Sequence, residues 1–276
     1  MASVITAEIM LSLYPIVVKS ISSNLYTQVL MRALTYTVVS MLFTDMSVSS
    51  VLTSPAYMII SIINLVHIFS SYTAFKNMNA GVAMTIFYIY PVFNLLFKSY
   101  LTHTKLNFGA LKYIIFSLIG VGLISFQSMM EDQTKNSYFI GLLAILIAAL
   151  TESLTYTFYK GESKMNPFDG IFTLYFFGTI LMLFFAPKFL QASTKIDRSN
   201  IIKLVIFNIF VGLVGHIFRF YGIPRTTTEV YSVYLFIGVV SAYIFGWYFL
   251  NEKITIYHII GTAIILYSMY QIQKQI

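Results

Sequence analysis

Apolar residues run along this chain in long stretches separated by short polar breaks. Ten of these stretches match the roughly 20 helical residues that cross a hydrocarbon core. They are Ser3–Ile21, Leu25–Phe43, Pro55–Phe75, Ala80–Leu101, Phe108–Phe126, Tyr138–Tyr159, Phe168–Ala186, Ile201–Gly222, Val230–Leu250 and Ile254–Ile272. The runs are long and do not alternate, and a helix satisfies its own backbone, so helices are expected rather than a barrel. Much of the charge falls in the breaks. Glu131–Asn136 (EDQTKN) lies near the middle and is expected to link two halves, 1–130 and 137–276. The longest connector, Pro187–Asn200, holds Lys188, Lys195, Asp197 and Arg198, and no break is long enough for a separate soluble domain. The expected fold class is all-α integral membrane, with ten transmembrane helices.

Composition agrees. Of 276 residues, 58% are hydrophobic and 10% charged, against about 25% charged in a soluble domain. The net charge is +7, but most basic residues sit between or at the ends of apolar segments, where they snorkel to lipid headgroups. Nucleic-acid binding is therefore not expected. Cysteine is absent, which excludes disulfides, thiolate metal sites and thiol nucleophiles. The N-terminal MASVITAEIMLSLYP lacks a basic region and carries Glu8, so it is expected to be a first span rather than a cleaved signal. No lipidation signal is visible at either end.

The apolar runs also repeat. Leu65–Asn77 (LVHIFSSYTAFKN) returns 149 positions later as Val214–Thr226 (VGHIFRFYGIPRT), so that His67 meets His216, Tyr72 meets Tyr221 and Lys76 meets Arg225. With an offset of 141, Lys19 meets Lys160, and Met41-Leu42-Phe43 meets Met182-Leu183-Phe184. Self-similarity of this kind decides architecture. Five spans per half is odd, so the second copy must enter from the opposite side, giving two inverted five-helix repeats. In a membrane protein this pattern points to a transporter with its site between the halves.

Several motifs carry a family resemblance: PIVVK at Pro15–Lys19, the arginine in QVLMRAL (Gln28–Leu34), and SYTAFKNMNAGVAMTIFYIYPVF (Ser71–Phe93) with its small residues before a proline. FLNEKI at Phe249–Ile254 adds an acidic ending to the ninth span. Over nearly its whole length the chain resembles the drug/metabolite transporter superfamily in its ten-helix EamA-type form. LTHTKL at Leu101–Leu106 departs from the pattern, because it lacks the glutamate. The resemblance implies both termini on the cytosolic side. Lysines and arginines divide almost evenly between the two sides, so orientation rests on the resemblance alone.

Candidate chemistry lies in the apolar runs. His67 and His216 each stand nine residues before a terminal cation, about 13 Å of helix at ~1.5 Å per residue, near the midplane. Each imidazole either hydrogen-bonds a neighbouring helix or binds substrate or a proton. Arg219 lies one turn beyond His216 on the same face, too deep to snorkel comfortably. It is expected either to grip a substrate anion by its fork or to pair with Glu229 or Glu152. Glu152, Thr155, Tyr156 and Tyr159 follow helical spacing and form a polar stripe. Glu8 shares a face with Ser12 and precedes Pro15, which loosens the helix; either glutamate couples to a proton or pairs with Arg219. Lys19, Arg32, Lys76, Lys160 and Arg225 read as span-end cations, snorkelling to headgroups or ringing the mouths of a cavity. Tyr88 and Tyr90, beside Pro91, are placed on the cavity wall. Gly120, Gly122, Gly238 and Gly246 are expected to let helices pack closely.

There is no phosphate-cradling glycine loop, metal constellation or nucleophile–base pairing in the sequence, so neither enzyme activity, a cofactor nor a metal is expected. The expected function is secondary transport of a small anionic or zwitterionic metabolite by alternating access. A non-transporting membrane receptor or scaffold is the alternative. Substrate binding is assigned to His67, His216, Arg219, Lys19, Lys160, Tyr88, Tyr90, Glu152 and Tyr156; gating or coupling to Glu8, Arg32, Lys76, Arg225 and Glu229. The expected partners are a small metabolite and the lipid bilayer, the state monomer or homodimer, and the location the plasma (inner) membrane.

Overall fold

The computed structural model describes residues 2–101, 103, 108–131, 135–161, 165–191, 197–222, 225 and 228–274. Among them the chain is helical throughout: α1 (Ala2–Leu11), α2 (Tyr14–Ser20), α3 (Leu25–Met41), α4 (Val48–Thr53), α5 (Pro55–Asn77), α6 (Ala80–Phe87), α7 (Tyr90–Leu101), α8 (Phe108–Glu131), α9 (Lys135–Gly161) and α10 (Pro167–Gln191). There follow α11 (Arg198–Phe207), a π-helical segment (Asn208–Leu213), α12 (Val214–Gly222), α13 (Thr228–Leu250) and α14 (Ile256–Gln273). Six helical stretches are long and apolar enough to cross a membrane: Ala2–Ser20, Pro55–Asn77, Ala80–Phe97, Asn136–Phe158, Pro167–Ala186 and Arg198–Gly222. The other candidate spans coincide with α3, α8, α13 and α14. Helix α10 runs to Gln191, into the segment expected to be a connector.

Local chemistry sets the helix ends. Asn24 caps α3 by accepting from Thr27 N–H at 2.6 Å, and Ser54 caps α5, with Pro55 at the first helical position, where its missing N–H costs nothing. Thr255 and His258 form a reciprocal capping box at the start of α14. Two candidate spans are broken beside prolines. The first divides at Ser12-Leu13 before Pro15, and the fourth at Tyr88-Ile89 before Pro91, as expected where a proline lacks its N–H and clashes with the preceding turn.

The outer surface is apolar, and charged and polar groups are buried within an otherwise apolar core. Leu42, Phe184, Leu118, Ile119, Trp247 and Ile259 are exposed, while Glu8, Gln28, Arg32, Asn64, Glu152 and Arg219 are buried. Such a distribution suits a hydrocarbon solvent. Helix packing interleaves the halves: α1 lies against α12 and α13, α3 against α10, α6 against α13, and α8 against α14. The core they enclose brings α1, α3, α5, α9, α10 and α12 around one centre.

Candidate functional site

Four charged side chains meet at that centre: Glu8 on α1, Arg32 on α3, Glu152 on α9 and Arg219 on α12, with 1%, 5%, 9% and 8% of their surface exposed. Arg219 is fully engaged. Its Nη2 donates to Glu152 Oε1 at 2.6 Å, and its Nε lies 3.8 Å from Glu8 Oε1. Tyr88 donates to the other Glu8 oxygen. This pair sits against Gly238 of α13, where a Cβ would stand 2.8 Å from the Tyr88 hydroxyl and 3.1 Å from Glu8 Oε2. His67 has three partners: Nδ1 is 3.0 Å from the Ala148 carbonyl and 3.4 Å from Thr151 Oγ1, and Nε2 is 3.9 Å from Glu152 Oε2. A carbonyl only accepts, so Nδ1 carries the proton.

Arg32 keeps different company. The sequence reading set it near a span end; it lies well inside α3, because the helix begins at the Asn24 cap and Arg32 stands more than two turns in. Its Nε donates to the Tyr175 hydroxyl at 3.0 Å, and Nη2 is 3.3 Å from His216 Nε2. The guanidinium lies over the Tyr14 ring at 4.4 Å, with Tyr36, Tyr72 and Tyr175 at 5.4, 5.7 and 5.8 Å. Among the described residues no carboxylate lies within ion-pair distance of it. His216 acts as a strut. Its Nδ1 donates to the Gly212 carbonyl at 2.8 Å, at the π-helical segment, and its Nε2 faces a group that can only donate. Both nitrogens are committed, which sets the neutral Nδ1–H tautomer in this arrangement.

The cavity between these groups has two lobes. One, about 40 Å³, is walled by Asn64, Glu152, Thr155 and Tyr156. The other, about 50 Å³, is walled by Glu8, Tyr14, Ser71 and Tyr88. Arg32, His67, His216 and Arg219 line both.

The remaining sequence candidates lie elsewhere. Tyr90 is buried behind the wall, its ring 6.1 Å from that of Tyr156. Lys19 pairs with Glu252, which follows α13, and Glu252 also accepts from Ala80 N–H at 2.7 Å. Lys76 donates to the Ser23 carbonyl at 3.0 Å. Arg225 stacks on Tyr221 at 3.8 Å and is exposed. The side chains of Lys160 and Glu229 lie outside the described residues. Sequence reasoning missed Tyr14, Tyr36, Tyr175 and Asn64, since nothing separates these tyrosines from the other members of a set of 21. Tyr72 was visible only as a repeated residue. Among the described residues no cluster of ligands suits a metal ion.

The EamA-like transporter family model matches residues 1–126 and 139–272. A protein of Archaeoglobus fulgidus named as an uncharacterized transporter is 24% identical over 212 residues, 75% of this chain and 74% of its own length. The uncharacterized transporter YdfC of Bacillus subtilis is 26% identical over 196 residues, 68% of this chain and 61% of its own. An uncharacterized transporter of Clostridium kluyveri is 28% identical over 192 residues, with the same two coverages of 68% and 61%. A solved crystal structure that is 16% identical has a similar fold, with a TM-score of 0.62 over 98% of this chain and 94% of the other. With both halves matched, this multi-pass helical membrane protein belongs to the EamA-like transporter family.

Proposed function

We propose that the protein is a secondary transporter of a small anionic or zwitterionic metabolite in the plasma membrane. It works by alternating access between two inverted five-helix repeats, 1–130 and 137–276. The observation that carries the substrate charge is Arg32, a buried guanidinium whose described contacts are all to uncharged groups. A buried cation without a counter-ion is expensive, and a guanidinium grips a carboxylate or phosphate through two parallel hydrogen bonds. Arg219 already has its carboxylates, so the anchor role considered for it falls to Arg32. The helices that line the cavity come from both halves, so a rocking motion about the centre would expose the same groups to either side in turn.

Proteoliposomes preloaded with a metabolite mixture test this. Counterflow of labelled anionic or zwitterionic compounds is expected, with Arg32→Ala lowering affinity at least thirtyfold, the size of about 2–5 kcal/mol for a charge-assisted contact. Binding without flux would instead support the receptor reading.

A further inference from the structure

A second cavity lies between α3, α5 and α10. It holds about 580 Å³, against about 40 and 50 Å³ for the two central lobes, and it shares no lining residue with them. Tyr26, Leu65, Phe69, Leu181, Met182 and Phe185 wall it, and Asn24 stands where α3 begins. The Tyr26 hydroxyl donates to the Met182 carbonyl, so this residue offers the cavity its ring, 6.4 Å from that of Phe69. Phe185 is exposed, and Leu65 and Phe69 are half-buried, so the cavity opens on the apolar outer surface. In a bilayer, hydrocarbon fills such a space, because apolar cavities stay dry. At roughly 30 Å³ per methylene-sized unit, a water's share of liquid volume, the space suits one acyl chain and not two.

The mouth of this cavity is basic. Residues 65, 69 and 76 are spaced by four and seven along α5, so they share a face, with Lys76 about 10 Å beyond Phe69 toward the helix end. Helical side chains lean toward the N-terminus, which brings Lys76 back over the opening. Its Nζ donates to the Ser23 carbonyl at 3.0 Å, one residue from Asn24. Among the described residues no carboxylate lies within ion-pair distance of Lys76, whereas Lys19 is neutralised by Glu252. Asn24 uses its Oδ1 to accept from Thr27 N–H. That leaves its amide NH2 without a hydrogen-bond partner among the described residues.

We propose that this cavity is a lipid site, which seats one acyl chain of an anionic glycerophospholipid and holds its phosphate on Lys76 and the Asn24 amide. The two side chains present only donors there, and a phosphate diester presents only acceptors. Moving an acyl chain from the bilayer into the cavity gains no hydrophobic energy, because both are hydrocarbon. The chain therefore fixes where the lipid sits, and the headgroup decides which lipid it is. A zwitterionic headgroup brings its own cation close to Lys76, whereas one with net negative charge neutralises the lysine. The sequence left Lys76 between headgroup contact and the mouth of a cavity. This site joins the two, at a cavity other than the central one.

The probes are phosphatidylglycerol and phosphatidylcholine with the same two chains, competed at equal concentration for purified full-length protein in detergent and read by native mass spectrometry. Phosphatidylglycerol is expected to be retained about fivefold over phosphatidylcholine, the size of one lysine's attraction to an anionic membrane surface. Lysophosphatidylglycerol should compete to within about threefold of the two-chain lipid, because the second chain stays in the surrounding hydrocarbon. Glycerol phosphate, a headgroup without a chain, should displace nothing at the same concentration. Lys76→Gln should bring the two lipids level, and Lys76→Arg should keep the preference, because a guanidinium still carries the charge and the donors. Leu181→Trp, which fills the cavity, should abolish retention of both lipids. The competition on the wild-type protein needs no variant and so stands whether or not the variants fold. Equal retention of the two lipids by the wild type, displacement by glycerol phosphate, or an unchanged preference in folded Lys76→Gln would overturn the proposal. Wild-type retention of both lipids by folded Leu181→Trp would put the lipid on the outer surface instead of in the cavity, and would overturn it too.

Discussion

Two buried arginines share the central cavity, and their partners separate their roles. Arg219 is bound by Glu152 on the neighbouring α9 and approached by Glu8, so it reads as one side of a structural ion pair. Glu152→Ala should therefore strand a buried charge and destabilise the protein by about 3–5 kcal/mol. The double variant Glu152→Ala/Arg219→Leu should recover only part of that loss, because the stranded guanidinium is gone but buried Glu8 loses its nearest cation. Unfolding in detergent micelles checks both; equal stability of wild type and Glu152→Ala would show that the pair contributes nothing. Arg219 was legible because its spacing from His216 fixes a shared face and its depth demands a partner, one of two glutamates. Arg32 was not. Its cage draws on α2, α3, α5 and α10, and only tertiary packing brings Tyr14, Tyr36, Tyr72 and Tyr175 to one guanidinium. The histidines were visible as a matched pair, yet their partners differ: a carbonyl, the Thr151 hydroxyl and a carboxylate for His67, and a carbonyl, the Tyr36 hydroxyl and an arginine for His216.

At the scale of elements, the loosening at Pro15 was read directly, whereas the break beside Pro91 and the π-helical segment were not. Pro15 and Pro91 carry their own steric reason, but nothing in NIFVGL (Asn208–Leu213) marks a widened turn. Glycines show the same limit. The sequence offered Gly120 and Gly122 equally as close-packing positions, and the structure distinguishes them. A Cβ on Gly120 would meet the Gly261 carbonyl at 2.9 Å and Ile265 at 2.7 Å, with the reciprocal 2.9 Å approach of Gly261 to the Gly120 carbonyl; around Gly122 nothing lies within 4 Å. Backbone cannot move aside as a side-chain tip can, so α8 and α14 need both glycines at their crossing. Gly120→Ala and Gly261→Ala should each destabilise by about 1–3 kcal/mol through overpacking, and Gly122→Ala should not. Thermal unfolding of the three variants in one detergent decides it: equal shifts for Gly120→Ala and Gly122→Ala would contradict the crossing.

For the whole molecule, several helix pairings recur in the two halves and the chemistry does not. The packing of α5 on α9 is repeated by α12 on α1, and that of α6 and α7 on α9 by α13 on α1. These are the pairings that an internal two-fold would generate, and the repeat in the sequence foreshadows them. The charged groups break the symmetry: at the same offsets Glu8 corresponds to Ala149, Arg32 to Thr173, Glu152 to Leu11 and Arg219 to Ser70. The sequence around the closing contact also differs between the halves. Glu252 ties the end of α2 to the start of α6 through Lys19 and the Ala80 N–H, whereas the matching stretch Leu101–Leu106 lacks a glutamate. On the alternating-access reading, this contact latches that face by charge and so biases the resting equilibrium. The pair is partly exposed, at 21% and 10% of its side-chain surfaces, which puts its worth above that of a surface ion pair at roughly 1–2 kcal/mol. Glu252→Gln should then raise the population open on that face roughly five- to thirtyfold. The chain contains no cysteine, so a single Ser71→Cys reporter in the cavity wall can be labelled with an impermeant thiol reagent from each side in turn. Labelling from the Lys19 face should accelerate by that factor in Glu252→Gln and in Lys19→Met, and fall back in the charge-exchanged pair Lys19→Glu/Glu252→Lys. Labelling rates unchanged by either single substitution would mean that the contact holds α6 in place without gating access.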